Sequence, residues 1–292
     1  MPSQQFLNRR GSVWERTDFA GKSFPELRAE MEETVVGELR SYDDLTWEAG
    51  RAGEITGKWI HPAAPVPGLL YYIHGGGFTL GSSGIPMPFL LELSHRLHIP
   101  CFSADYRLAP EHTFPAAPDD ALAGYRALLD LGFPANQIIV CGESAGATLS
   151  LDLPLMAKQA GLPAPGAVIA LSPVTDATVP AEGTVLEGLD DSASIYAVYA
   201  PGVDLHNPLI SPALGNLENY PDTFLLVGGA EVLLQDSLIF ARTAAQAGVD
   251  VRLHVGRDMI HTYPLDLWDY PEAMQAFEEI ELFIRQKLAE HA

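Results

Sequence analysis

The apolar, strand-like run Gln137-Ile138-Ile139-Val140-Cys141 leads directly into Gly142-Glu143-Ser144-Ala145-Gly146, and a helix-like segment follows. G-x-S-x-G between a strand and a helix is the signature of a nucleophile elbow. A serine that attacks a carbonyl must stand on a tight, strained turn with its Oγ exposed above the sheet edge. Glycines flank it because side chains there would collide across the turn. The helix behind the serine directs its positive N-terminal end at charge developing on a substrate oxygen. Short Gly/Ser runs also build ordinary loops, so these five residues alone leave a bland reading open.

A second motif narrows it. His74-Gly75-Gly76-Gly77-Phe78 also comes directly after an apolar run, Leu69 to Ile73. Successive glycines let the backbone approach a ligand closely and gather N–H groups into one space. The N–H groups of Gly75, Gly76 and Ala145 are expected to form an oxyanion hole, with His74, Gly77, Gly142 and Gly146 supporting the two turns. The rival reading is a phosphate-binding turn, but neither G-x-G-x-x-G nor a Walker lysine is present. Two loops that each follow a strand meet at one sheet edge, where α/β sites form.

Strand-like runs cover Glu54 to Ile60, Leu69 to Ile73, Pro100 to Ala104, Gln137 to Cys141, Ala167 to Leu171, Thr223 to Gly228 and Val251 to Val255. Most are almost continuously apolar, as suits strands covered on both faces. Helical spacing appears from a capping box at Ser23-Phe24-Pro25-Glu26 to about residue 40, and over Pro118 to Leu131, Glu231 to Ala247 and Tyr270 to Leu288. This alternation predicts an α/β fold with a mostly parallel sheet and right-handed crossovers. The interval between Leu171 and Thr223 carries no strand signal, and an interval that long is functional or has helices of its own. The expected organisation is one catalytic domain with a cap. Residues 1–50 form an N-terminal cap segment, 51–175 and 221–292 the core, and 176–220 a cap insertion.

The partners of an elbow serine follow in the order acid, then histidine. Of the later histidines, His291 lies in the tail, His254 inside a strand-like run and His206 in the cap insertion. His261 follows the last strand in a loop, the position from which a base reaches Ser144. The acid falls after the preceding strand. Glu231 is the first candidate, nearest the strand's carboxyl end, and Asp236 is the runner-up, a turn deeper into the helix. A carboxylate at either place also serves as a helix cap or a surface ion pair.

A net charge of −21, from 38 acidic and 17 basic residues, argues against nucleic acid and anionic membranes as partners. No run is long and apolar enough to span a bilayer, and no signal-peptide core is present, so a cytoplasmic location is the default. Cys101 and Cys141 sit at apolar strand-like positions and read as buried thiols. The nine histidines form no HExxH or Cys/His cluster, so no metal site is expected.

Taken with Asp105-Tyr106-Arg107-Leu108-Ala109-Pro110-Glu111-His112 and Phe114-Pro115-Ala116, the two motifs resemble those of the hormone-sensitive-lipase-like α/β-hydrolases, the bacterial family IV carboxylesterases. Asn207-Pro208-Leu209-Ile210-Ser211-Pro212 and Met259-Ile260-His261 are weaker echoes. The resemblance covers about residues 70 to 262. It implies an α/β-hydrolase fold with an eight-stranded core sheet and a helical cap. It also implies hydrolysis of small acyl esters or lactones without a cofactor, by Ser144, His261 and a glutamate in place of the commoner aspartate. Members often form a homodimer through the last strand. The charges of Asp105, Arg107 and Glu111 are expected to brace the loop under the oxyanion turn. Three departures stand out: Glu143 where aspartate is usual, Ala147 where a second glycine is common, and Pro154, which should kink or interrupt its helix.

The expected activity is that of a serine carboxylesterase on short- to medium-chain esters. The alternatives are an inactive ligand-binding receptor on the same scaffold, or an acyltransferase, amidase or C–C hydrolase using the same three residues. Receptors of that kind have lost the histidine, whereas His261 stands in place here.

Overall fold

The computed structural model describes residues 2–9, 11–179 and 192–290. Positions 180–191 of the expected cap insertion, and His291, lie outside them. Eight strands form one sheet: β1 (Leu45–Ala52), β2 (Ile55–Pro62), β3 (Leu69–Ile73), β4 (Cys101–Ala104), β5 (Ile138–Glu143), β6 (Ala167–Leu171), β7 (Thr223–Gly228) and β8 (Val251–Gly256), in the order β1-β2-β4-β3-β5-β6-β7-β8. β2 runs antiparallel to both of its neighbours, and the other pairings are parallel. The seven strand-like runs all appear. β1 was not anticipated, because Leu45–Ala52 is mostly exposed and lacks the apolar run that marks the others.

The helices are α1 (Gln4–Leu7), α2 (Val13–Arg16), α3 (Phe24–Val36), α4 (Met87–Leu97), α5 (Ala116–Asp130), α6 (Ala145–Gln159), α7 (Ser192–Tyr199), α8 (Leu234–Gln246) and α9 (Pro271–Ala289). Strand alternation sorts the core. Leu70 and Tyr72 face α4 and α9, packing with Phe89, Phe277 and Ile280. Leu69, Tyr71 and Ile73 face α5 and α6, packing with Tyr125, Leu149 and Leu153. Each large side chain buried this fully contributes about 1.5–3 kcal/mol of hydrophobic stabilisation.

Three helices depart from expectation. α3 begins where the Glu26 carboxylate accepts from both the N–H and the hydroxyl of Ser23, but it stops at Val36. α8 begins at Leu234 instead of Glu231, because Glu231 turns back to the sheet edge, where its carboxylate accepts the Gly228 N–H at 2.9 Å. α6 is not interrupted: it runs through Pro154, one of thirteen successive buried residues from Ala145 to Ala157. Packing on every side holds the helix where a proline on an exposed one would break it. Cys101 and Cys141 are buried free thiols.

Candidate active site

Because β3, β5, β6, β7 and β8 are parallel, the residues that follow them emerge at one edge of the sheet. Those residues are His74 to Gly77, Ser144, Ser172, Glu231 and His261. Ser144 sits at φ 53°, ψ −121°, the strained conformation a nucleophile elbow requires. Its N–H donates to the Leu171 carbonyl at 2.8 Å, and α6 starts at the next residue. The flanking glycines are steric necessities. A Cβ on Gly142 would stand 2.6 Å from the Ile73 carbonyl oxygen, and one on Gly146 would overlap the carbonyls of Ile73 and His74.

His261 and Glu231 are brought together. Imidazole Nδ1 lies 2.5 Å from Glu231 Oε2, across 30 residues of chain. The Glu231 side chain is 4% exposed and that of His261 20%, so the pair points from the interior toward the open edge. The other carboxylate oxygen, Oε1, accepts the Ser172 hydroxyl at 2.6 Å and the Gly228 N–H. Ser172 also accepts the Thr262 N–H at 3.2 Å, so one hydroxyl ties the acid to the histidine loop. Sequence reasoning missed Ser172, yet its signal matches that of Ser144: a serine directly after an apolar strand, at φ 53°.

Asp236 is engaged elsewhere. It is buried in the first turn of α8, and its Oδ1 accepts the N–H groups of Thr175 and Asp176 at 2.7 and 3.0 Å. Burial pushes its pKa up to about 6. The other histidines are also occupied: His254 Nδ1 lies 2.7 Å from Glu279, and exposed His206 Nδ1 lies 2.9 Å from Asp204. No group of three or more His, Cys, Asp or Glu side chains suited to a metal occurs among the described residues. Among them no helix is long and apolar enough to cross a membrane.

The glycine turn corrects one expectation. The Gly75 N–H donates to the buried Glu143 Oε1 at 2.7 Å and is therefore unavailable to a substrate oxygen. The spacing of the glycines could not reveal this, because the acceptor comes from the elbow 68 residues later. Gly76 and Gly77 adopt φ of 115° and 59°, and their N–H groups have no acceptor among the described residues. His74 is a support: it is buried, its ring stacks on Tyr106 at 4.3 Å and its carbonyl accepts the Tyr106 hydroxyl. Desolvation lowers the His74 pKa, which keeps the ring neutral.

The charged motif between the two turns separates into three contacts. Asp105 accepts the Ser83 N–H at 2.7 Å, Arg107 is bidentate on Asp120 at the start of α5, and Glu111 pairs with Arg28 of α3. Arg28 also donates to the carbonyls of Thr79 and Ala109. N-terminal residues and α7 therefore lie over the glycine turn. Trp14 Cη2 would be 3.0 Å from a Cβ on Gly76, and Ile195 Cδ1 3.6 Å from one on Gly77. Phe78 stacks on Tyr199 at 3.8 Å with the rings nearly parallel.

Residues 70–265 match the family model described as the alpha/beta hydrolase fold. The chain is similar to an acetyl-hydrolase of Streptomyces hygroscopicus, 33% identical over 247 residues that cover 82% of each protein. The chain belongs to the hormone-sensitive-lipase-like carboxylesterases. An esterase of Acinetobacter venetianus is 34% identical over 242 residues, 80% of each chain. The crystal structure of an esterase from the bacterial hormone-sensitive lipase family superposes with a TM-score of 0.89 at 30% identity, covering 99% of both chains. Family membership accounts for the sheet order and makes this carboxylesterase a carboxylic ester hydrolase on the α/β-hydrolase fold.

Proposed function

We propose that this carboxylesterase hydrolyses short- to medium-chain acyl esters or lactones with Ser144 as nucleophile, His261 as base and Glu231 as the acid that orients it. The observation that carries the reading is the 2.5 Å contact between His261 Nδ1 and Glu231 Oε2. A proton held on Nδ1 leaves Nε2 as the basic nitrogen that takes the Ser144 proton as Oγ attacks the ester carbonyl. The tetrahedral oxyanion is held by the N–H groups of Gly76, Gly77 and Ala145, in place of the Gly75 N–H that Glu143 occupies. His261 then protonates the leaving alcohol. Water, activated by the same imidazole, releases the acid and restores the serine.

The N-terminal segment and α7 act as a cap over this site, a role supported by Trp14 and Ile195 lying against the glycine turn. A short acyl group is supported by the similarity to an acetyl-hydrolase. An organophosphate is expected to label one serine per chain, Ser144, with parallel loss of turnover on p-nitrophenyl esters. Screening acyl length and alcohol bulk, with lactones included, then defines the substrate class. A folded Ser144→Ala protein with full turnover would exclude the nucleophile assignment, and a parent protein that resists the organophosphate and turns over no ester would favour a receptor.

A further inference from the structure

Glu143 is the buried carboxyl at the site that the proposed chemistry does not use. It ends β5, is 2% exposed, and is paired with no lysine or arginine among the described residues. An unpaired carboxyl at such depth is costly to bury, and burial pushes its pKa up to about 7. The buried Tyr72 hydroxyl lies beside this carboxyl. Its Oε1 makes one bond, to the Gly75 N–H of the opposite loop at 2.7 Å. The backbone is as close: a Cβ on Gly75 would stand 2.7 Å from the Glu143 carbonyl oxygen. The residue before Ser144 thus grips the residue before Gly76.

We propose that Glu143 is a positioning residue whose carboxyl holds the Gly75 peptide inward, so that the next two N–H groups of the turn present themselves to the oxyanion. This rests on Ser144 being the nucleophile and extends it to how the two loops are registered. The feature that matters is an acceptor oxygen at the reach of a glutamate side chain, and its negative charge is dispensable. Glu143→Met keeps the length and removes the acceptor, while Glu143→Gln keeps both.

On a p-nitrophenyl ester, Glu143→Met is expected to lower kcat about 10- to 100-fold, less than the roughly 10²- to 10³-fold of losing an oxyanion donor outright because the donors are misplaced and not removed, with KM within about threefold. The affinity for a trifluoromethyl ketone, which forms a tetrahedral adduct, should fall by the same factor. Glu143→Gln should restore kcat to at least about ten times that of Glu143→Met. Glutamine and methionine proteins that are equally impaired, or a methionine protein whose kcat and inhibitor affinity match the parent, would overturn the proposal. In the parent enzyme, amide exchange followed by NMR should be slower at Gly75 than at Gly76 and Gly77, and equally fast exchange at all three would also overturn it. Ser144→Ala, run in parallel, reports on the nucleophile assignment alone.

Discussion

Glu231 reaches His261 with one carboxylate oxygen and is held through the other by Ser172 and Gly228, whereas Asp236, five residues later, faces the Thr175 and Asp176 N–H groups. The two candidate acids are thus separated by direction. Glu231 stands in the turn at the sheet edge, and Asp236 has entered the helix. Glu231→Gln should lower kcat about 10³- to 10⁴-fold by favouring the wrong imidazole tautomer. Asp236→Asn should leave kcat/KM within about threefold. Steady-state kinetics of the two variants decides the matter, and the reverse ranking would make Asp236 the acid.

The glycine turn makes a steric prediction. Gly76 combines φ 115° with a Cβ position that would overlap the Leu80 carbonyl and crowd Trp14, so Gly76→Ala must displace the turn. A loss of kcat of about 10²-fold or more is expected for folded protein, the cost of misplacing an oxyanion donor. Gly77 has φ 59° and room for a methyl beside Ile195. Gly77→Ala pays about 1–2 kcal/mol of left-handed strain and should lose no more than about 10- to 30-fold. Circular dichroism of both proteins guards against unfolding, and equal losses would count against the assigned geometry.

Stability should fall as pH rises from about 4.5 to 8, in the part contributed by buried carboxyls. Glu143 and Asp266 are pushed up to about 7, and Asp236 to about 6, each chiefly by desolvation. The folded protein keeps these protons where the unfolded chain releases them. Their contribution is therefore complete below the unfolded pKa and is lost as pH passes through the folded one. Each group costs about 1.4 kcal/mol per pH unit inside its window. Glu143→Gln removes one such group, so the drop in Tm between pH 5 and pH 8 should shrink. A drop as large as the parent's would contradict the burial argument.

Asp152 offers a separate gain. It is completely buried in α6, both carboxyl oxygens lack a partner among the described residues, and desolvation raises its pKa well above the usual range. The Tyr196 and Tyr199 hydroxyls, also buried, lack partners as well. Asp152→Leu, which removes an unsatisfied polar group and keeps the branching at Cγ, should stabilise by about 1–3 kcal/mol where the larger methyl groups are accommodated. Thermal denaturation at pH 8 tests this, where the cost of the carboxyl is greatest. A lower Tm would show that the carboxyl satisfies a group it does not reach here.

The parts of this protein legible in its sequence are those written locally. β3, β6 and β7 have the bounds their apolar runs predict, because strands covered on both faces need unbroken hydrophobic side chains. The serine and glycine turns are legible because tight backbone approach permits only glycine at positions such as Gly142 and Gly146. β1 escaped because an exposed edge strand carries no such run. What tertiary structure alone decided are the pairings between distant loops. Glu231 was one of two adequate carboxylates until the fold turned it toward His261. Gly75 was a free donor on paper until Glu143 arrived from the next strand and took its N–H. A hydrogen bond depends on direction and on a partner, and a partner 68 residues away leaves no mark in the local pattern of residues.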